Sequence, residues 1–82
     1  MKINKSSKKN RKSEIDWLAV GRRIRELRGF DLRQQDFATR IGVSQNYLSN
    51  MERGRAEIGA QILLRISNEF GKSIEWLLTG MD

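Results

Sequence analysis

The stretch Leu32 to Gly54, LRQQDFATRIGVSQNYLSNMERG, decides how the rest of this chain is read. Phe37, Ala38 and Ile41 form one apolar stripe at helical spacing and Leu48 and Met51 a second, with Gly42 between them. Gly42 suits the left-handed position that ends a helix, where a side chain would crowd the backbone. Val43 and Ser44 complete the turn. Ser44 is a preferred N-cap, and Val43 with Leu48 has the spacing of a hydrophobic staple, so the start of the following helix is specified twice. Leu32 and Phe37 repeat the staple spacing one helix earlier. Over 44–53 the face opposite Leu48 and Met51 is centred near Asn46 and shared by Gln45, Ser49 and Asn50, with Tyr47 on its flank. Amides and hydroxyls combine donors and acceptors at low desolvation cost, which is the chemistry that base edges in a major groove require.

Working outward, Ser13 followed by Asp16 resembles a capping box, and Trp17, Val20, Ile24 and Leu27 recur at helical spacing. A first helix is therefore expected over about 14–28, with Arg22, Arg23 and Arg25 on its other face. Gly29 stops it, and Phe30 and Asp31 lead to Leu32. Downstream, Ile62, Leu63, Ile66 and Phe70 make the stripe of a fourth helix between Gly59 and Gly71, and Ser73 caps a last short helix from Ile74 to Thr79. Trp76, Leu77, Leu78 and Met81 make that end more apolar than a terminal turn needs, which fits either a partner contact or a cap on the core. Proline is absent, glycines punctuate the helical segments, and no repeat of twenty or more residues occurs. The expected fold is all-α: a compact five-helix domain over 14–82 behind an N-terminal arm.

Eighty-two residues make one small domain, which buries only about 60% of the surface its unfolded chain exposes. The chain has no Cys and no His, so disulfides, thiolate metal sites and the commonest general base are all missing. No metal, no cofactor and no enzymatic activity are expected. No apolar run approaches the roughly 18 residues of a membrane span, so a soluble, cytoplasmic protein with no membrane partner is expected. The whole net charge of +6 sits in the first thirteen residues, where Lys2, Lys5, Lys8, Lys9, Arg11 and Lys12 meet no acidic residue. With Ile3 as its one aliphatic residue after Met1, this segment cannot bury enough surface to order itself and is read as a disordered basic arm. A phosphate backbone is its favoured target, a plain solubilising tail the alternative.

Taken together, Leu32, Gln34, Phe37, Ala38, Ile41, Gly42, Val43, Ser44, Tyr47, Leu48, Ser49, Glu52 and Gly54, then Ile66, Gly71 and Ile74-Glu75-Trp76-Leu77-Leu78-Thr79-Gly80, resemble the lambda-repressor-like helix-turn-helix family, also called the Xre type. The resemblance implies that the third helix lies in a major groove, where Gln45 and Asn46 read bases, while Gln34 anchors to a phosphate. Gln or Asn can pair in bidentate fashion with adenine, worth roughly 1–3 kcal/mol against a wrong base. Ser44, at the positive end of the helix, belongs to the same surface, and Ser49 and Asn50 extend it. Tyr47 packs its ring on the core and offers its hydroxyl to a phosphate; Arg53 and Arg55 fall where the family's loop contacts phosphates. Glu52 matches a position that pairs with a first-helix arginine, here Arg28. Two departures stand out. The link from Leu27 to Leu32 is one residue shorter than the family's, and Arg33 occupies a cap position where Ser or Thr is usual. Asp36 can compensate by accepting from the backbone N–H at the cap, leaving Arg33 to reach a phosphate.

The function implied is a sequence-specific DNA-binding transcriptional regulator, a repressor that binds a near-palindromic operator as a homodimer, with Ile74, Trp76, Leu77 and Met81 as candidate dimer contacts. The alternative is an antitoxin-like protein-binding module that docks a protein partner through its apolar last helix and binds DNA secondarily. Membrane-surface binding lacks a lipid anchor signal, and RNA binding lacks stacking aromatics.

Overall fold

Asp16, not Ser13, starts the first helix. In the computed structural model, which describes residues 14–81, Asp16 Oδ1 accepts from the backbone N–H of Ala19 at 3.2 Å, and Glu14 and Ile15 precede the helix in non-helical backbone. Asp is as good a cap as Ser and stands directly before Trp17, where the apolar stripe begins. Five helices follow in order: α1 Trp17–Arg28, α2 Gln34–Ile41, α3 Gln45–Glu52, α4 Ala60–Phe70 and α5 Ile74–Thr79. No strand occurs among the described residues. Ser13 and the basic arm, 1–13, lie outside them.

One core joins the five helices. Val20 and Ile24 from α1, Phe37, Ala38 and Ile41 from α2, Leu48 and Met51 from α3, Leu63 and Ile66 from α4, and Leu77 from α5 are buried together. Each fully buried Ile, Leu or Phe side chain stabilises the fold by about 1.5–3 kcal/mol relative to exposure. Helix α1 packs on α3 and α5, α2 on α3 and α4, and α4 on α5. The expected stripes thus face the core, with Trp17, Leu27, Ile62 and Phe70 half-buried at its edge. Ile58 also joins the core from the loop before α4, where it and Leu63 flank the cap residue Gly59 as a third hydrophobic staple.

Two assignments change. Leu77 was expected among dimer contacts, yet its side chain is fully buried and cannot meet a second chain. Arg23, expected on the solvent face of α1, is half-buried and donates from Nη1 to the Leu77 carbonyl oxygen at 3.0 Å, satisfying the C-terminal end of α5. Arg65 does the same for α2, donating to the Ile41 carbonyl oxygen at 3.3 Å.

The turn between α2 and α3 closes as a Schellman motif. Gly42 is left-handed (φ 76°, ψ 30°), Val43 N–H donates to the Ala38 carbonyl at 3.0 Å, and Gly42 N–H donates to that of Thr39 at 3.2 Å. Gly21 carries a different constraint. A Cβ built there would fall against the carbonyl oxygen of Met51 and within 2.8 Å of that of Glu52, so this glycine lets α1 and α3 cross backbone to backbone.

Candidate nucleic-acid interface

Helix α3 begins as its sequence directs. Ser44 Oγ accepts from the Tyr47 N–H at 3.0 Å, and Val43 is packed half-buried against the core beside the buried Leu48. Because Ser44 Oγ acts as the acceptor, its own hydroxyl hydrogen stays free. Leu48 and Met51 face the core, which leaves Gln45 and Asn46 exposed on the first turn, with Ser49 and Asn50 half-exposed one turn later. The first N–H groups of a helix have no partner within it, so the two amides share their end of α3 with unpaired backbone donors and partial positive charge. Tyr47 is half-buried with its ring against the core. At the other end, Arg55 N–H donates to the Asn50 carbonyl at 2.9 Å and Gly54 N–H to that of Met51 at 3.0 Å, a turn that presents Arg53 and Arg55 to solvent.

Helix α2 borders this face through Arg33 and Gln34. No side chain caps α2 at Arg33. The anticipated return of Asp36 to the cap backbone is replaced by an exposed ion pair, Arg33 Nε to Asp36 Oδ2 at 3.3 Å. A flexible cation next to a carboxylate three residues on captures it in preference to the weaker backbone bond. Arg33 remains highly exposed and can exchange that partner for another anion.

Glu52 ties the elements together. It is the one charged residue in the core among the described residues, at 8% exposure. Arg28 donates from Nε to Glu52 Oε2 at 2.8 Å and from Nη2 to Oε1 at 3.0 Å, and Gln34 Nε2 donates to Oε1 at 2.9 Å. Arg28 Nη1 also holds the Leu32 carbonyl oxygen at 3.2 Å. The expected Arg28–Glu52 pair therefore forms across the short link, in which Gly29 turns sharply with φ 65° and ψ −158°, a region open essentially to glycine. The hydrogen bonding of Arg28 to the Glu52 carboxylate raises the Arg28 pKa above the ordinary arginine value, against the opposing effect of burial, with charge attraction adding to it. Sequence reasoning anticipated the ion pair but not the Gln34 amide in it; one of that amide's two N–H groups is now committed and one is free.

The C-terminal candidates separate. Ile74 and Trp76 are half-buried against the core, Trp76 with Lys72 Nζ 4.7 Å from its ring centroid, while Met81 is 66% exposed. Among the described residues no helix is long and apolar enough to cross a membrane, and no group of three His, Cys, Asp or Glu side chains converges to hold a metal ion.

A helical pair joined by a tight glycine turn, the second helix capped, polar outward and flanked by arginines, defines a helix-turn-helix protein. A family model described as helix-turn-helix matches residues 22–77, and the chain belongs to this family of DNA-binding transcriptional regulators, in its lambda-repressor-like, Xre type. The family comprises binding proteins, not enzymes. Among solved structures, the P22 c2 repressor protein in complex with a synthetic operator is 33% identical with a TM-score of 0.70, over 76% of this chain and 96% of that one. The restriction-modification controller protein C.AhdI from Aeromonas hydrophila is 26% identical with a TM-score of 0.68, over 77% and 93%. A propionyl-CoA carboxylase regulator from Cereibacter sphaeroides is 38% identical over 63 residues, 76% of this chain. The chain spans only 14% of that curated relative's length.

Proposed function

We propose that the chain regulates transcription by sequence-specific DNA binding, as a repressor of a near-palindromic operator in the cytoplasm. The observation that carries this reading is the exposed Gln45–Asn46 pair on the first turn of a capped helix whose other end carries Arg53 and Arg55. Helix α3 enters the major groove N-terminus first, Gln45 and Asn46 reading base edges, with Asn50 a turn further along. Gln34, through its free amide N–H, and Arg33, Ser44, Tyr47, Arg53 and Arg55 contact the sugar-phosphate backbone and fix the register. The likeness to a repressor crystallised on its operator supports the same docking here.

One eight-residue helix reads too few base pairs to select a single site, so two copies act together on half-sites about 34 Å apart. Met81, with the outer edges of Ile74 and Trp76, supplies the contact between copies, and Leu77 only supports it from the core. The arm, 1–13, adds sequence-independent affinity by displacing counterions.

Selection of bound sequences from a random duplex pool tests this reading. The parent chain is expected to enrich a two-fold symmetric site, and Gln45→Ala to relax preference at one base pair in each half. Failure to enrich any sequence, or an identical preference in the variant, would overturn it.

A further inference from the structure

Arg23 stands half-buried on α1 and meets the far end of the chain at two points. Its Nη1 donates to the Leu77 carbonyl oxygen at 3.0 Å, and its guanidinium lies against Gly80, where a built Cβ would fall 2.9 Å from Nη2, 3.1 Å from Nε and 3.2 Å from Cζ. Gly80 is left-handed (φ 81°, ψ 5°) and its N–H donates to the Trp76 carbonyl at 2.8 Å, so the turn and the guanidinium both require a residue without a side chain. Helix α5 has only six residues, too few to hold its own end in water, and its terminus takes its geometry from what packs on it. Directly after this turn stands Met81, the most exposed of the candidate contacts between copies. The same α1 also fixes the reading helix, through the backbone crossing at Gly21 and the Arg28 bonds to Glu52. Residues 21–28 therefore touch both α3 and the turn that presents Met81.

We propose that Arg23 is a positioning residue for the pairing of two copies on DNA: it pins the Gly80–Met81 turn to α1 and so fixes the distance and angle between that contact and α3. This role rests on the two-copy reading above and deepens it, because it names what sets the spacing of the half-sites. One base pair added between half-sites moves one copy relative to the other by about 3.4 Å and about a tenth of a turn. A pinned turn cannot follow that displacement. A released turn can follow it, but must then be ordered each time two copies meet, which weakens pairing at the correct spacing. Arg23 thus acts on spacing without touching the duplex.

The test uses the full chain and a set of labelled duplexes: a half-site, the two-fold symmetric sequence enriched from a random pool, and that sequence with one base pair added or removed at its centre. Affinities are followed by anisotropy. The parent is expected to favour the enriched site over the half-site and to lose most of that advantage when the spacing changes. In Arg23→Ala the half-site affinity should stay at the parent's level, while the full-site advantage falls about tenfold, the cost of ordering one residue's backbone on binding, and the three spacings bind within about twofold of one another. Gly80→Ala keeps Arg23 but drives a Cβ into its guanidinium, so it should reproduce both effects. The double variant should be no worse than either single one, because both release the same turn. A role confined to folding would lower the thermal midpoint and leave the parent's strict spacing intact, so broadened spacing is the signature of positioning. An Arg23→Ala variant that keeps the full-site advantage and the strict spacing, one that loses half-site and full-site affinity in equal proportion, or fully additive losses in the double variant would each overturn the role of Arg23 and leave the two-copy reading standing. If the parent itself binds half-site and full site equally, pairing fails and the role of Arg23 fails with it.

Discussion

Substituting Glu52 by Gln removes one negative charge from the best-connected side chain in the domain and leaves its shape nearly unchanged. The Glu52 side chain is 4% exposed and that of Arg28 16%, so the variant strands a largely buried guanidinium with no carboxylate to face it. Hydrogen bonds to charged groups contribute about 1.5–3 kcal/mol each, and breaking a buried pair costs about 3–5 kcal/mol. Arg28 keeps some access to water, and the carbonyl oxygen of the introduced amide still accepts one bond, which places the expected loss at about 2–3 kcal/mol. Total stability in a domain of this size is on the order of 5 kcal/mol, so the loss is a large share of it. Each kcal/mol shifts the midpoint of a small domain by about 4–8 °C, and a fall of about 10–20 °C is expected in thermal unfolding followed by circular dichroism. Replacing the pair together, Arg28→Met with Glu52→Met, should recover most of that stability, since apolar residues of similar volume often match a buried ion pair. DNA affinity should not recover with it, because Gln34 would be without the Oε1 acceptor that positions its amide. A Glu52→Gln variant within about 0.5 kcal/mol of the parent would refute the reasoning, because that is the range of a surface substitution away from any buried network.

Three further outcomes follow from the same geometry. Gly21→Ala, ordinarily a gain of about 0.5–1 kcal/mol in a helix, should instead destabilise by about 1–3 kcal/mol in urea unfolding as α1 and α3 are forced apart; a more stable variant would refute the close crossing. Arg33→Thr should restore a cap to α2 and raise stability by about 0.5–1 kcal/mol while weakening DNA binding, and an unchanged affinity would count against a phosphate role for Arg33. Deleting residues 1–12 removes all six cations of the arm and should flatten the salt dependence of DNA binding by up to about 0.9 for each phosphate the arm neutralises, whereas an unaltered slope would limit the arm to solubility.

What the sequence made legible is local. Ser44, the Val43–Leu48 staple and Gly42 act within six residues of one another, and the turn they build matches its expectation down to the residue that caps α3. At the start of α1 the sequence pattern reads Asp16 as the partner of a Ser13 cap, whereas Asp16, standing directly before the first stripe residue, is itself the cap. Illegible features join residues far apart in the chain. The helical wheel places Arg23 on the polar face, yet its long side chain reaches a carbonyl 54 residues away, which no local pattern encodes. Gly21 reads as a weak spot in a helix, and its use is apparent only against the Met51 and Glu52 carbonyls. Leu77 illustrates the limit of counting apolar residues: an excess at a chain end serves a core or a partner equally well, and burial by α1 and α4 decides for the core.

Arg28 joins the link between α1 and α2 to both neighbouring helices. A single guanidinium holds the Leu32 carbonyl in the link and Glu52 on α3, and through Glu52 it orders the Gln34 amide on α2. The orientation of α3 and the position of the Gln34 amide are therefore set by the same three bonds to Glu52, not by independent contacts. A change at this joint alters both together, so variants of Arg28 or Glu52 should lose affinity for every sequence before they change which sequence is preferred. Gln45 and Asn46, which make no bond to the joint among the described residues, should do the reverse.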